Sequence, residues 1–304
     1  MALETQDLAS LTSIPKTDFH NHGSLGFRLA VLRERTGAEL PDPPQIMPSF
    51  PEFADYLKLL QEYLYSNKGF KPSLQNALET AINDSVTELE LSIDCQIVPV
   101  FGSAEAVVHL LEEIFSLFPG LVIRPEVGIN REWDEEKLEN WALPLIETGF
   151  FAGIDLYGNE LFGEPEKFVK YFDQAKAQGM RCKAHAGEYR DADFVKRSVE
   201  VLQLEEVQHG ITAAQSRETM RWLSDHGIRL NVCPTSNLRL ARVARMSEHP
   251  IGTLHRAGVH VTINSDDILV FDQNVSEEYL NLYVNKVLTA SELDDIRVAA
   301  FRNI

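Results

Sequence analysis

The chain has 304 residues, 44% of them hydrophobic and 24% charged, which is the composition of a folded globular protein and not of a disordered one. No apolar run approaches the ~20 residues that span a bilayer and no signal-type segment opens the chain, so a soluble, cytoplasmic protein without a membrane partner is expected. Asp plus Glu number 46 against 28 Lys plus Arg, a net charge of −18 that would repel a phosphate backbone, so a small molecule and not nucleic acid is the expected partner.

In chain order, short apolar runs predict eight strands: Lys16–Asn21, Glu88–Asp94, Leu121–Val127, Phe150–Leu156, Arg181–Ala186, Glu206–Ile211, Ile228–Cys233 and His260–Asn264. Helical spacing fills the intervals, at Ala104–Leu117, Glu135–Ile146, Pro165–Ala177 and Ala213–Ser224 among others. Gly149, Gly179, Gly227 and Gly258 each stand just before a strand, where a helix-to-strand turn needs a residue free to take positive φ. Eight strands alternating with helices predict an α/β fold, a (β/α)8 TIM barrel. A doubly wound open sheet is the alternative. It would carry a Gly-rich phosphate turn after its first strand, where this chain reads Asp18-Phe19-His20-Asn21-His22-Gly23.

One domain is expected over residues 1–304, with a helical insertion after the first strand at about 25–87. It holds Pro41-Asp42-Pro43-Pro44 and two predicted helices, Pro51–Tyr65 and Ser73–Val86. A barrel carries such an insertion over its active face, as a lid or as packing. Cys95, Cys182 and Cys233 are odd in number and far apart with no C-x-x-C, so they read as buried, reduced thiols.

Of nine histidines, His109, His226, His249, His255 and His260 lie on predicted helices or in nearby loops and read as surface or packing residues. The other four end strands. His20 and His22 form an H-x-H pair whose i, i+2 spacing puts both rings on one face. His185 closes the fifth strand, His209 the sixth, and Asp266 and Asp267 the eighth. Singly, an HG pair is a turn and a DD pair a helix cap. Together they converge on the C-terminal face of a barrel, where catalytic groups gather. Three histidines and one carboxylate make an open site for zinc, which lowers the pKa of a bound water toward ~7. A neighbouring histidine would orient that nucleophile, and Glu188, three residues past His185, could protonate a substrate or leaving group. The residues alone therefore predict metal-assisted hydrolysis of a small molecule. Ligand type favours zinc without excluding iron or cobalt.

The ordered set His20-Asn21-His22, Gly153-Ile154-Asp155-Leu156-Tyr157-Gly158-Asn159-Glu160, His185-Ala186-Gly187-Glu188, His209-Gly210, Cys233-Pro234-Thr235-Ser236-Asn237 and Ser265-Asp266-Asp267 resembles the adenosine/adenine deaminase family of the amidohydrolase superfamily. The resemblance implies one zinc ion per chain, held by His20, His22, His185 and Asp266. It implies that Glu188 protonates purine N1, that His209 orients and deprotonates the zinc water, that Asp267 bonds N7, and that the Gly158 N–H meets N3. The implied reaction is hydrolytic deamination at C6 of a 6-aminopurine nucleoside, adenosine to inosine plus ammonia. Free adenine or another modified aminopurine is the alternative, and a catalytically inactive barrel the weakest reading. The H-x-E and P-C-x-x-C site of cytidine-type deaminases is absent.

Two departures stand out. Nucleoside-type members continue H-x-H-L-D-G with an acid toward the ribose, and adenine-type members carry Glu at that place. Here His22-Gly23-Ser24-Leu25-Gly26 puts Ser24 there, a weaker hydrogen-bond partner than a carboxylate. Meanwhile Ser236-Asn237-Leu238-Arg239-Leu240 and His249-Pro250 look closer to the adenine-type branch. Ala299–Ile304 resembles the start of a late family helix that normally runs further, so incomplete C-terminal helices are expected.

Overall fold

The computed structural model describes residues 2–302. Its centre is a parallel eight-stranded barrel in sequential order: β1 (Lys16–Asn21), β2 (Val86–Asp94), β3 (Val122–Asn130), β4 (Gly153–Tyr157), β5 (Arg181–Ala186), β6 (Glu206–His209), β7 (Arg229–Val232) and β8 (His260–Ile263). Helices connect them, and the four glycines before strands have φ of 65°, 77°, 67° and 84°. The ring closes from β8 to β1 by a single bridge, Asn21 to Asp266, together with Asn264 Oδ1 accepting from Phe19 N–H at 2.8 Å.

Alternation sorts each strand into two faces. On β5, Cys182, Ala184 and Ala186 face the helices while Lys183 and His185 face the barrel axis. The axis is filled by charge and not by the usual branched aliphatics. Lys183 pairs with Glu90, with Glu126 at 2.7 Å and with Glu206 at 3.2 Å, and Arg229 bonds Glu90 at 2.8 Å and Glu206 at 2.5 Å. Every member is buried, so removing Lys183 or Arg229 would leave buried carboxylates short of a counter-charge.

Several boundaries shift for local reasons. β6 stops at His209 and not Ile211, because His209 and Gly210 both turn left-handed, φ 63° and 67°. β3 runs on past Val127 to Asn130. β4 starts three residues later than expected, since Phe150 stacks on Phe115. The helix expected over Glu135–Ile146 runs without interruption over residues 135–147 and widens to a π turn at Leu138–Ala142 before Leu143–Glu147. Pro144, lacking an N–H, cannot continue the regular ladder there. Ser216 caps Arg217–Asp225, separating it from the tight turn Ile211–Gln215.

The segment after β1 forms helices Leu29–Thr36, Phe50–Leu64 and Phe70–Asn83. Ser49 and Glu52 start the second with a reciprocal capping box. Its apolar face packs with Leu269, Val270 and Phe271 after β8 in a separate hydrophobic cluster, which seats it over the C-terminal mouth. The segment expected to start a late helix instead ends one: Ala299 and Ala300 close the last helix, Ala290–Ala300, Phe301 and Arg302 follow in a turn, and Asn303 and Ile304 lie outside the described residues. Among the described residues no helix is long and apolar enough to cross a membrane. All three cysteines are free and buried.

Candidate active site at the C-terminal mouth

The strand ends bring the histidines together. The register of β1 against β2 slips between Asp18 and Asn21, three steps on β1 against two on β2, a bulge that brackets Phe19 and His20. Beyond it, His20 Nε2 lies 3.3 Å from His22 Nε2 and 3.1 Å from His185 Nε2. Asp266 Oδ1 stands 3.5 Å from His22 Nε2 and 3.8 Å from His20 Nε2. Asp266 holds a left-handed backbone, φ 60°, and its N–H donates to the His20 carbonyl at 2.9 Å, tying the two chain segments together.

The donor set fits a metal ion. His20 Nδ1 faces the Asn231 carbonyl at 3.2 Å, and His185 Nδ1 faces Asp155 Oδ1 at 3.3 Å. The Asn231 carbonyl accepts only, so His20 carries its proton on Nδ1 and turns a lone pair at Nε2 toward His185, whose Nδ1 stands beside the Asp155 carboxylate. Burial and the neighbouring imidazoles hold His20 far below its ordinary pKa, in the neutral form. Facing lone pairs repel unless a cation lies among them. Zinc–nitrogen bonds of about 2.0–2.1 Å at tetrahedral angles put ligand nitrogens about 3.3 Å apart, the spacing seen here. A second grouping, His20 with His209 and Cys233, fits less well, because burial pushes the Cys233 thiol up and away from a thiolate.

The same mouth holds the other candidates. Strict alternation would send His209 outward with Val207. Its left-handed backbone turns it inward instead, so that Nε2 lies 3.7 Å from Glu188 Oε1 and 3.9 Å from Asp266 Oδ2. Burial, with Asp266 and Glu160 nearby, pushes the Glu188 carboxyl well above the ordinary range. Its loop is held by Glu160, which accepts from the backbone N–H groups of Gly187, Glu188, Tyr189 and Arg190. Gly187 has φ 77°, and a Cβ there would meet Val195 at 2.3 Å, so only glycine fits the turn before Glu188. Asp267 is pushed up to about 7 by burial against the opposing pull of His22, and its Oδ1 has no hydrogen-bond partner among the described residues.

These groups line one cavity of about 410 Å³, with Gly158 and Tyr157 on one wall and Phe50, Phe53 and Leu57 of the inserted helix opposite. At Gly158, φ 93°, a side chain would strike Asn130 Oδ1. Ser24 is buried within the turn Gly23–Leu25, and the residue of that turn that lines the cavity is Leu25. Four residues without a role assigned from sequence complete the site. Asp155 backs His185, Glu160 holds the Glu188 loop, Asn237 Nδ2 donates to Glu188 Oε1 at 3.0 Å, and His249, read as surface or packing, lies buried against Asn237. All four fall inside segments quoted above, but their contacts are long-range and leave no periodic signal.

An eight-stranded barrel whose β1 and β5 histidines meet an aspartate after β8 defines a metal-binding hydrolase of the amidohydrolase type. The chain belongs to the adenosine deaminase family, whose model matches residues 15–303. A candidate adenosine/adenine deaminase of Treponema pallidum (strain Nichols) is 32% identical over 278 residues, 89% of this chain and 91% of the relative. An adenine deaminase of Rhodopseudomonas palustris (strain BisB18) is 30% identical over 297 residues, 90% of this chain and 84% of the relative. The crystal structure of an adenine deaminase from Arthrobacter aurescens shares the fold with a TM-score of 0.81 at 24% identity, covering 95% of this chain and 93% of the other.

Proposed function

We propose that the protein is a metal-dependent hydrolase that deaminates a 6-aminopurine at C6, releasing ammonia. The observation that carries this is a buried carboxyl, Glu188, whose Oε1 lies 3.7 Å from His209 Nε2 beside the cluster of His20, His22, His185 and Asp266, with burial pushing its pKa up. Those four residues would hold zinc. When bound, the ion supplies a Lewis acid that brings the pKa of water at the site toward neutrality.

The remaining steps belong to the side chains. Asn237 occupies Glu188 Oε1, which leaves Oε2 to carry the proton to ring N1 and make C6 electrophilic. His209 orients the water oxygen for attack on C6. Asp267, which lines the cavity and whose buried Oδ1 has no hydrogen-bond partner among the described residues, takes N7, and the Gly158 N–H takes N3. The C6–oxygen bond forms, the C6–amine bond breaks, and ammonia leaves. Phe50 and Phe53 of the inserted helix shield the reaction from bulk water.

The cavity of about 410 Å³ is roomier than a purine ring needs, which favours a nucleoside such as adenosine. The relatives named for adenine favour the free base, and Ser24, standing where both branches carry a carboxylate and lying behind the wall, favours neither. Formation of the 6-oxopurine by zinc-loaded protein across adenosine, deoxyadenosine, adenine and N6-methyl-AMP, with ammonia released from the first three and methylamine from the last, tests both. Release from at least one supports the class and ranks the substrates. Silence across the panel with zinc bound overturns it.

A further inference from the structure

Behind the reacting groups, three buried side chains run in line from a backbone amide to His209. The Ile251 N–H donates to His249 Nδ1 at 3.2 Å, His249 Nε2 lies 3.3 Å from Asn237 Oδ1, and Asn237 Nδ2 lies 3.2 Å from His209 Nδ1. Taken singly, the last two contacts have no fixed direction, since an imidazole nitrogen donates or accepts and an amide can be turned over. The first has no such freedom. A backbone N–H only donates, so His249 Nδ1 presents its lone pair and the neutral ring carries its proton on Nε2. Burial keeps that ring neutral, its pKa pushed down to about 3. A proton on Nε2 needs an oxygen opposite, which sets Asn237 with Oδ1 toward His249 and Nδ2 toward His209. Nδ2 meets His209 Nδ1 only if a lone pair is there, so the proton of His209 sits on Nε2.

We infer that His249, acting through Asn237, locks His209 in the tautomer protonated on Nε2, so that His209 is a hydrogen-bond donor at the reaction centre and not its base. The consequence rests on the deaminase reading above. An Nε2–H can pin the lone pair of the attacking water but cannot take its proton, and Nδ1 is already engaged by Asn237. Proton traffic then falls to Glu188. Its own proton goes to N1, the water proton refills it and passes to the leaving amine, and the hydroxyl proton of the adduct restores it as C6=O forms. His249 and Asn237 are positioning residues in this scheme. Holding a catalytic imidazole in the right tautomer is a large effect in other enzymes.

The test reads the tautomer directly. Long-range nitrogen–proton correlation spectra of zinc-loaded protein labelled with 15N-histidine show which ring nitrogen bears the proton, and His209→Asn assigns the signals. His249→Gln keeps the polarity, since an amide can accept from Ile251 N–H and donate to Asn237. Asn237→Asp puts an acceptor in front of His209 Nδ1, and His249→Leu removes the line. The expected result is an Nε2–H His209 in the wild type and in His249→Gln, a proton on Nδ1 in Asn237→Asp, and mixed tautomers in His249→Leu. With substrate, kcat in His249→Leu falls about tenfold or more while KM stays within about twofold, and His249→Gln restores it. An Nδ1–H His209 in the wild type overturns the inference, as does a wild-type pattern in both His249→Leu and Asn237→Asp. The spectra need no substrate, so this failure is separate from that of the deaminase reading, which formation of the 6-oxopurine alone decides.

Discussion

His185 Nδ1 and Asp155 Oδ1 stand 3.3 Å apart at the ends of neighbouring strands, both facing the barrel axis. Asp155 is fully buried, yet His185 holds its carboxyl well below the ordinary range despite the cost of burial, with Ser92 donating to Oδ2 at 2.5 Å. A carboxylate there fixes the proton of His185 on Nδ1 and sharpens the lone pair on Nε2. Asp155→Asn keeps the volume and removes the charge. The variant is expected to bind zinc about 10- to 100-fold more weakly, measured by competition against a chelator. Unchanged affinity would mean that His185 does not depend on Asp155 for its tautomer.

Glu188 is expected to separate metal binding from turnover. Glu188→Gln preserves the acceptor that Asn237 Nδ2 bonds, but an amide has no proton to give to N1. Zinc content stays at the wild-type level while kcat drops by about 10²–10⁴. Metal analysis with steady-state kinetics checks both halves, and full turnover would remove Glu188 from the proton path.

The strand count and the gathering of four histidines were legible in the sequence because both follow from periodicity. Short apolar runs mark strands, and the ends of parallel strands converge. The charged axis was not legible. Lys183, Glu90, Glu126, Glu206 and Arg229 look like solvated residues in sequence, and only closure of the barrel turns them inward. The end of β6 is not legible in the sequence because positive φ at a histidine has no compositional signal. Asn237 and His249 are twelve residues apart, across a tight helix and a loop, so nothing in the spacing shows that they touch each other or, 28 residues back, His209.

His249 also predicts an acid limb in stability. In the unfolded chain its ring takes up a proton as pH falls through about 6.5, whereas in the fold it does so only near 3. Between those values the unfolded state binds more protons. The stability this ring contributes is therefore whole above about pH 6.5 and is lost progressively toward pH 3. From pH 7 to pH 5 the loss from this residue is about 2 kcal/mol. Urea unfolding at the two pH values should show a decline smaller by that amount in His249→Gln. Equal declines would mean that the ring is protonated in the fold as easily as outside it.

Arg239 links the inserted segment to the barrel. Its guanidinium donates to the carbonyls of Pro44 at 2.7 Å, Gln45 at 3.2 Å, Val270 at 3.0 Å and Phe271 at 3.3 Å, and its own carbonyl accepts from Met47 N–H at 2.7 Å. The Pro-rich stretch and the chain after β8 are thereby clipped to one cation just outside the wall formed by Phe50 and Phe53. Arg239→Met keeps the stem and removes the donors. The cluster of His20, His22, His185 and Asp266 is not among its partners, so metal content should not change. Proteolysis within residues 38–49 should quicken, and KM should rise about tenfold, near the ~1.5 kcal/mol of one charge-assisted hydrogen bond. Unchanged KM and cleavage would show that the apolar contacts of Phe53 with Phe271, 5.8 Å between stacked ring centroids, and of Leu60 and Leu64 are enough to seat the helix by themselves.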